Sequence, residues 1–504
     1  MLKELHLLEI SGFDGSLVNK NALNLISSRL ARKDSTIWGA EAAKEAAIRL
    51  DWIDLPETSR TLLPKLDALS AWSRSIGHKN FILCGMGGSS LAPEVIAAHY
   101  QKELTVLDST NPEQIAAVLE KDLGKSCIVI ASKSGGTIET ASQKELFVDR
   151  LTKLGLPPED HLVVITDPGS PLEAFSKEIG AQLVLANPNV GGRFSALSAY
   201  GLVPAALLGI DVSLMLDDAE SVSETFINND SVAIEVAAAL ADPEFSFPEF
   251  FDRDSEIVGI ADWIEQLIAE STGKDGRGVL PIVLHDLKDV SSETIRFQKS
   301  AHRYVVGTLG AQFIFWEWVT ALLCYLLKVD PFNQPNVAEA KELTNKCLAG
   351  KLEEQIPVYE DEVFTVYATE SKESIEEYLK WITDGSYIAI MAYLNRQIDQ
   401  DFVELRSLIA NKIRKPVTFG WGPRFLHSTG QFHKGGPLIG AFLQITADCE
   451  RQVAIPGVNY DFQELLMAQA KGDYAALSSR DLPVLRINLK NKVQGLEKIK
   501  RALS

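Results

Sequence analysis

At 85–91 the chain reads GMGGSSL, and at 132–140 it reads SKSGGTIET. Each stretch follows an apolar run and precedes a helical pattern, which puts glycines and hydroxyls where a strand hands over to a helix. Glycines there let backbone N–H groups approach a ligand, hydroxyls add donors, and the helix dipole favours negative charge. Two such turns side by side can enclose one phosphate from both sides, with Gly88 and Ser89 supplied by the first and Ser132, Lys133, Ser134 and Thr137 by the second. Capping alone accounts for some of those hydroxyls but not for the lysine among them. The spacing does not fit a dinucleotide site, because only Asp108 stands near a ribose-reading position. Further along, Arg193 follows Gly191 and Gly192 in a loop where a guanidinium can turn into a cleft. Glu270 lies near a helix end in LIAESTGK, and Lys341 closes QPNVAEAK on a helix begun near Pro335. LHSTGQFHKGG holds His427 and His433, whose imidazoles suit proton transfer near neutrality. Lys434 beside them is a further candidate for binding phosphate. No carboxylate stands at ligand spacing from this pair, so no metal is expected.

The elements that must position these residues alternate between short β-rich runs and longer amphipathic ones. FILCGM, LTVLD, CIVIASKS, HLVVITD and AQLVLA are separated by helical segments, the punctuation of βαβ units, so a parallel sheet flanked by helices is expected over about 75–210. GVLPIVL, HRYVVG, VFTVYAT, SYIAIMAY, PVTFGW and AFLQIT predict a second one. The fold class expected is α/β, with two doubly wound parallel sheets and extra helices. The domain reading is a helical segment at 1–74, a first α/β domain with bridging helices at 75–240, a second at 241–450 and a terminal segment at 451–504. The basic pattern LKNKVQGLEKIKRAL predicts a packed terminal helix.

With 504 residues the chain has room for two or three domains. A net charge of −19 argues against nucleic acid or an anionic membrane as partner, and makes any cluster of cations informative about a small anionic ligand. The apolar runs are read as too short to span a membrane, and the start MLKELHLLEI reads as charged and helical. A cytoplasmic protein is therefore expected. Cys84, Cys127, Cys324, Cys347 and Cys449 are far apart and without a CxxC pair, so they read as reduced thiols.

Taken together, GMGGSSL and SKSGGTIET resemble the sugar-phosphate signature of sugar isomerase domains. GGRFSALSAYGLVPAALLGID, WIEQLIAESTGKDGRGVLPIV, DPFNQPNVAEAK and LHSTGQ are similar to the glucose-6-phosphate isomerase family, above all to the isomerase portion of fused transaldolase/phosphoglucose isomerases. The resemblance runs from about 80 to 435. It implies an aldose-ketose isomerase that opens a sugar ring and moves a proton between C2 and C1 through a cis-enediolate. Such chemistry needs a ring-opening acid/base, a carbon base and a cation for the enediolate. On this resemblance Glu270 is the carbon base, Arg193 the enediolate cation, and His427 with Lys341 the ring-opening pair, while Gly192 and Gln431 line the sugar. It also implies no cofactor, a small sugar-phosphate substrate and a homodimer. A dual glucose/mannose phosphate isomerase or a non-catalytic sugar-phosphate sensor would share the phosphate turns. Two departures stand out: Gly136 replaces a common threonine, and LHSTGQ follows PFNQPNVAEAK instead of preceding it, so a rearranged second domain is expected.

Overall fold

A computed structural model describes residues 7–13, 20–226, 231–353 and 355–503. The first sheet runs through Thr105–Leu107, Asn80–Gly85, Ser126–Ala131, Leu162–Thr166 and Gln182–Leu185 in that spatial order. Every pairing in it is parallel. The strand interiors read as continuous apolar runs because both faces are covered by helices. The chain moves outward from Asn80–Gly85 to Thr105–Leu107 and then returns to Ser126–Ala131 on the other side. That reversal leaves a crevice beyond the carboxyl ends of Asn80–Gly85 and Ser126–Ala131, the place where open α/β sheets bind ligands. Both glycine-rich turns open onto it.

The second sheet orders Tyr359–Glu360, Phe364–Ala368, Val484–Leu489, Gly440–Ala447, Tyr387–Tyr393 and Val417–Trp421. Its last four strands are parallel, while Phe364–Ala368 runs antiparallel to Val484–Leu489. The fold is thus α/β with two largely parallel sheets, as expected. The second set of strands is divided, however. Ile282–Val283 and Tyr304–Gly307 join Glu249–Phe251, Ile295–Arg296 and Leu8–Ser11 in a third, small sheet. Leu8–Ser11 pairs antiparallel with Tyr304–Gly307, where the sequence had suggested helix; residues 1–6 of that start lie outside the described residues. A partner strand far away in the chain decides the conformation of so short an apolar stretch.

Leu309–Leu327 is a 19-residue helix whose length and composition would suffice to cross a membrane, and 89% of its most apolar stretch is buried here. It is the axis of the largest apolar core: Val212–Phe226, Val232–Leu240 and Ile260–Thr272 pack against it. Trp316 and Trp318 are enclosed, their indole N–H groups donating to Gln312 and Ser27 at 2.9 Å each. Glu317, between those tryptophans, is fully buried, and neither carboxyl oxygen has a hydrogen-bond partner among the described residues. The terminal helix Lys492–Leu503 buries Leu496, Ile499 and Leu503 against the second sheet's helices. All five cysteines are free thiols.

Candidate active site

The helix Ile260–Thr272 is fixed at its start by Asp252, whose carboxylate accepts from the N–H groups of Gly259 and Ala261 at 2.8 and 2.9 Å. These are donors that a helix start leaves unpaired. Burial is the main cause that raises the Asp252 carboxyl to about 6. One face of this helix carries Gln266 and Glu270, four residues apart and therefore one above the other. The Gln266 amide donates to Glu270 at 3.2 Å and to the His427 carbonyl at 2.7 Å. Arg193 approaches Glu270 from the opposite side, with its guanidinium 3.1 Å from the carboxylate.

Arg193 is itself fully engaged. Its Nε donates to Ser271 Oγ at 2.7 Å and Nη1 to Gln334 at 2.9 Å, while Nη2 donates to the carbonyls of Pro331 and Asn333. The loop that provides these carbonyls is tied down by buried Lys274, which donates to the Asp330 carbonyl. Burial first, and the neighbouring Arg193 charge second, bring the Lys274 ammonium down to about 7. The outcome is a planar cation and a carboxylate, 4% and 8% exposed, each held from several directions. A buried ion pair persists only with such supporting hydrogen bonds.

Gly88 and Gly192 bring the first glycine-rich turn and the arginine loop into backbone contact. A Cβ on Gly88 would stand 2.0 Å from the Gly192 carbonyl oxygen. Gly87, at φ +55°, meets the Gln266 amide nitrogen in the same way, at 2.7 Å. Ser89 is the last residue of the short turn Gly87–Ser89 and is buried. In the second turn Ser132 donates to Thr137 at 3.2 Å and Ser134 accepts from the Gly136 N–H at 3.2 Å. Lys133 turns aside, pairing with Asp167 at 2.6 Å and donating to the Pro188 carbonyl at 2.9 Å. Burial lowers its ammonium from the ordinary value, and Asp167 offsets only part of that.

His427 ends the turn Arg424–His427, which follows the strand Val417–Trp421 of the second sheet. Its Nε2 lies 2.8 Å from Glu139, the second residue of the helix Ile138–Lys153 that leaves the second glycine-rich turn. Gln469 donates to the same carboxylate oxygen at 2.7 Å. Burial works to raise the Glu139 carboxyl, but His427 and, more weakly, Lys341 outweigh it and bring it below the ordinary value. His427, Glu139 and exposed Lys341 line one cavity of about 300 Å³. A carboxylate beside a cation and an imidazole beside a second carboxylate therefore flank the glycine-rich turns, an arrangement able to move protons at both ends of a small ligand.

Of the residues singled out in the sequence, Gly88 meets Gly192 beside Arg193, Arg193 pairs with Glu270, Gln266 links Glu270 to the turn bearing His427, and Lys341 lines the adjoining cavity. Gln431 is not available to a ligand: it is fully buried, donates to Gly273 and Asn336 at 3.0 and 2.8 Å, and accepts from the Asn336 N–H at 3.1 Å. His433 sits in the core against Tyr387, 3.1 Å from its hydroxyl, and burial followed by the Lys434 charge pushes its imidazole down to about 3. Lys434 is spent on Asp473 at 2.6 Å in the interior. Glu139, Gln266, Lys274 and Gln334 were not foreseen. Gln266 was within reach, because a residue four before Glu270 shares its helix face.

The paired, largely parallel sheets, with glycine-rich turns at the reversal of the first, define an α/β protein with a ligand crevice at a topological switch point. Over 66% of this chain and 85% of the other, the fold matches a glucose-6-phosphate isomerase from Chlamydia trachomatis, with TM-score 0.53 and 17% identity. Residues 61–275 match the family model described as Phosphoglucose isomerase. The glucose-6-phosphate isomerase of Thermus thermophilus is 34% identical over 247 residues, 46% of this chain and 58% of that protein. That of Mycoplasmopsis pulmonis is 28% identical over 388 residues, 60% of this chain and 90% of that protein. The family model covers fewer than half of the residues of this chain. The chain's match to the Thermus relative spans little more than half of that protein's length.

Proposed function

We propose that this protein interconverts glucose 6-phosphate and fructose 6-phosphate. The observation that carries the reading is the Glu270 carboxylate held between the Arg193 guanidinium and the Gln266 amide, while the same amide holds the turn bearing His427. The phosphate rests on the turns at 85–90 and 132–137, with N–H groups, Ser89, Ser132, Ser134 and Thr137 as donors. His427, steadied by Glu139, passes a proton to the ring oxygen as the hemiacetal opens, and Lys341 binds a sugar oxygen beside it. Glu270 takes the proton from C2, the electron pair forms the enediolate double bond, and the same carboxyl returns a proton to C1. Arg193 faces the negative charge that develops on oxygen, and a guanidinium stays charged throughout. Lys133, paired with Asp167, orders the second turn and the loop before Arg193.

The same reading carries a place in glycolysis and gluconeogenesis, a cytoplasmic setting and a homodimer, all supported by the likeness to glucose-6-phosphate isomerases. It divides the chain into two sugar isomerase units, one around each large sheet, with the second extending to include Val484–Leu489. The test is a coupled assay of purified protein on fructose 6-phosphate, with mannose 6-phosphate as the competing substrate and chelator present or absent. Turnover of fructose 6-phosphate that is indifferent to chelator supports the reading; no turnover, or turnover of mannose 6-phosphate alone, overturns it.

A further inference from the structure

The turn bearing His427 belongs to the second sheet, yet its imidazole must work against a phosphate seated on the first. Its apolar residues Phe425 and Leu426 are packed on the second sheet's side. On the side facing the helix Leu91–His99 it borders a polar cavity of about 300 Å³, lined among others by Glu94, Arg396 and Arg424. His427 itself meets Gly87 and Glu139 directly, but at the start of the turn, beside this cavity, the contact across to the first sheet is made by ion pairs. Arg424, which opens the turn, lies 2.7 Å from Glu94 and 3.0 Å from Asp108. Glu94 is in the first turn of the helix that rises from the first phosphate turn, and Asp108 directly follows the strand Thr105–Leu107. Asp108 is 1% exposed.

Arg396 meets the same two carboxylates, at 2.7 Å from Glu94 and 3.3 Å from Asp108, but it comes from the segment after Tyr387–Tyr393, which carries no residue of the site. Burial works to raise the Glu94 carboxyl and the two guanidiniums outweigh it, holding it well below the ordinary value. We infer that Arg424 is a positioning residue for ring opening: by gripping Glu94 and Asp108 it sets the distance between the phosphate turn at 85–90 and the His427 imidazole. Arg396 completes the charge balance of the same cluster without setting that distance. A misplacement of about 1 Å can cost on the order of 10²-fold in rate, so a flexible turn would be felt in the step that the imidazole serves and not in the one that Glu270 serves.

This inference rests on the isomerase reading, and its test separates the two. Ring opening is read as exchange between sugar-phosphate anomers by NMR, and the Glu270 step as hydrogen exchange at C2 in heavy water. Arg424→Met is expected to slow anomer exchange about 10-fold or more while C2 exchange from open-chain substrate changes less than about threefold. Arg424→Lys should recover part of the loss. Arg396→Met is expected to lower thermal stability and leave anomer exchange within about twofold of wild type. Where Arg424→Met folds poorly, Glu94→Gln keeps the side-chain shape and should show a smaller loss in the same step. Equal slowing by Arg424→Met and Arg396→Met, or equal loss in both exchange reactions, would overturn the inference. The His427 imidazole ¹⁵N signals, assigned with His427→Asn, give a reading independent of substrate. If wild type exchanges neither anomers nor C2 hydrogen, the isomerase reading fails; displacement of these signals in Arg424→Met but not in Arg396→Met then still supports the positioning role, and unchanged signals overturn it.

Discussion

Replacing Glu139 by Gln tests whether the imidazole opposite it does the ring opening. The substitution keeps the shape, and Gln469 can still donate to the remaining amide oxygen, but the charged partner 2.8 Å from His427 Nε2 is removed. A buried, charge-assisted hydrogen bond contributes roughly 1.5–3 kcal/mol. With each 1.36 kcal/mol worth a factor of ten, conversion of cyclic substrate should fall about 10- to 150-fold. Conversion of an open-chain analogue should change little, since it bypasses the step. His427→Ala should show the same selectivity in stronger form, and His433→Ala, a core substitution behind Tyr387, should show none. The carboxyl also leaves a mark on stability. Its value is lowered in the fold, so its contribution is complete above the ordinary value of 4.5 and is lost as the pH falls through the folded-state value. Denaturant titrations should show this acid-side loss in wild type and not in Glu139→Gln. Cyclic turnover within twofold of wild type, or equal loss on cyclic and open-chain substrates, would refute the reasoning.

Glu270→Gln should retain sugar-phosphate binding and lose about 10²–10⁴-fold in turnover, checked by hydrogen exchange at C2 in heavy water. Gly88→Ala would bring a methyl group to 2.0 Å from the Gly192 carbonyl oxygen, so the two loops must part. A stability loss of about 1–3 kcal/mol with a raised KM is expected, read by thermal melts and steady-state kinetics. Glu317 is raised well above its ordinary carboxyl value by burial alone, so the fold keeps a proton that the unfolded chain releases above 4.5. Stability should therefore fall by up to about 1.4 kcal/mol per pH unit above that value, and Glu317→Gln should remove this slope in denaturant titrations.

The parts legible in the sequence were those in which local chemistry leaves little choice. Close backbone approach demands glycine, so GMGGSSL and SKSGGTIET marked the crevice of the first sheet before any topology was known. Arg193 and Glu270 came with motifs of the same kind. What long-range contacts decide was illegible. Gln431 and His433 are the same residue types whether they face a ligand or the interior, and only packing shows that both are spent inside. Leu8–Ser11 becomes a strand because Tyr304–Gly307 offers it an edge, nearly three hundred residues away. Glu139 stood in a quoted motif yet gave no sign of its role, since its imidazole partner arrives from the other sheet.

The Leu309–Leu327 helix has a consequence for the chain before it folds. As it leaves the ribosome, this stretch presents to the membrane-insertion machinery much the same face as a spanning segment. Near its midpoint stands Glu317, which costs stability in the finished protein. An acidic side chain at the centre of such a segment disfavours insertion by about 2.5–3.5 kcal/mol. The same carboxyl that strains the folded core thereby biases the nascent chain toward staying in water, and a leucine in its place would trade sorting fidelity for a drier interior.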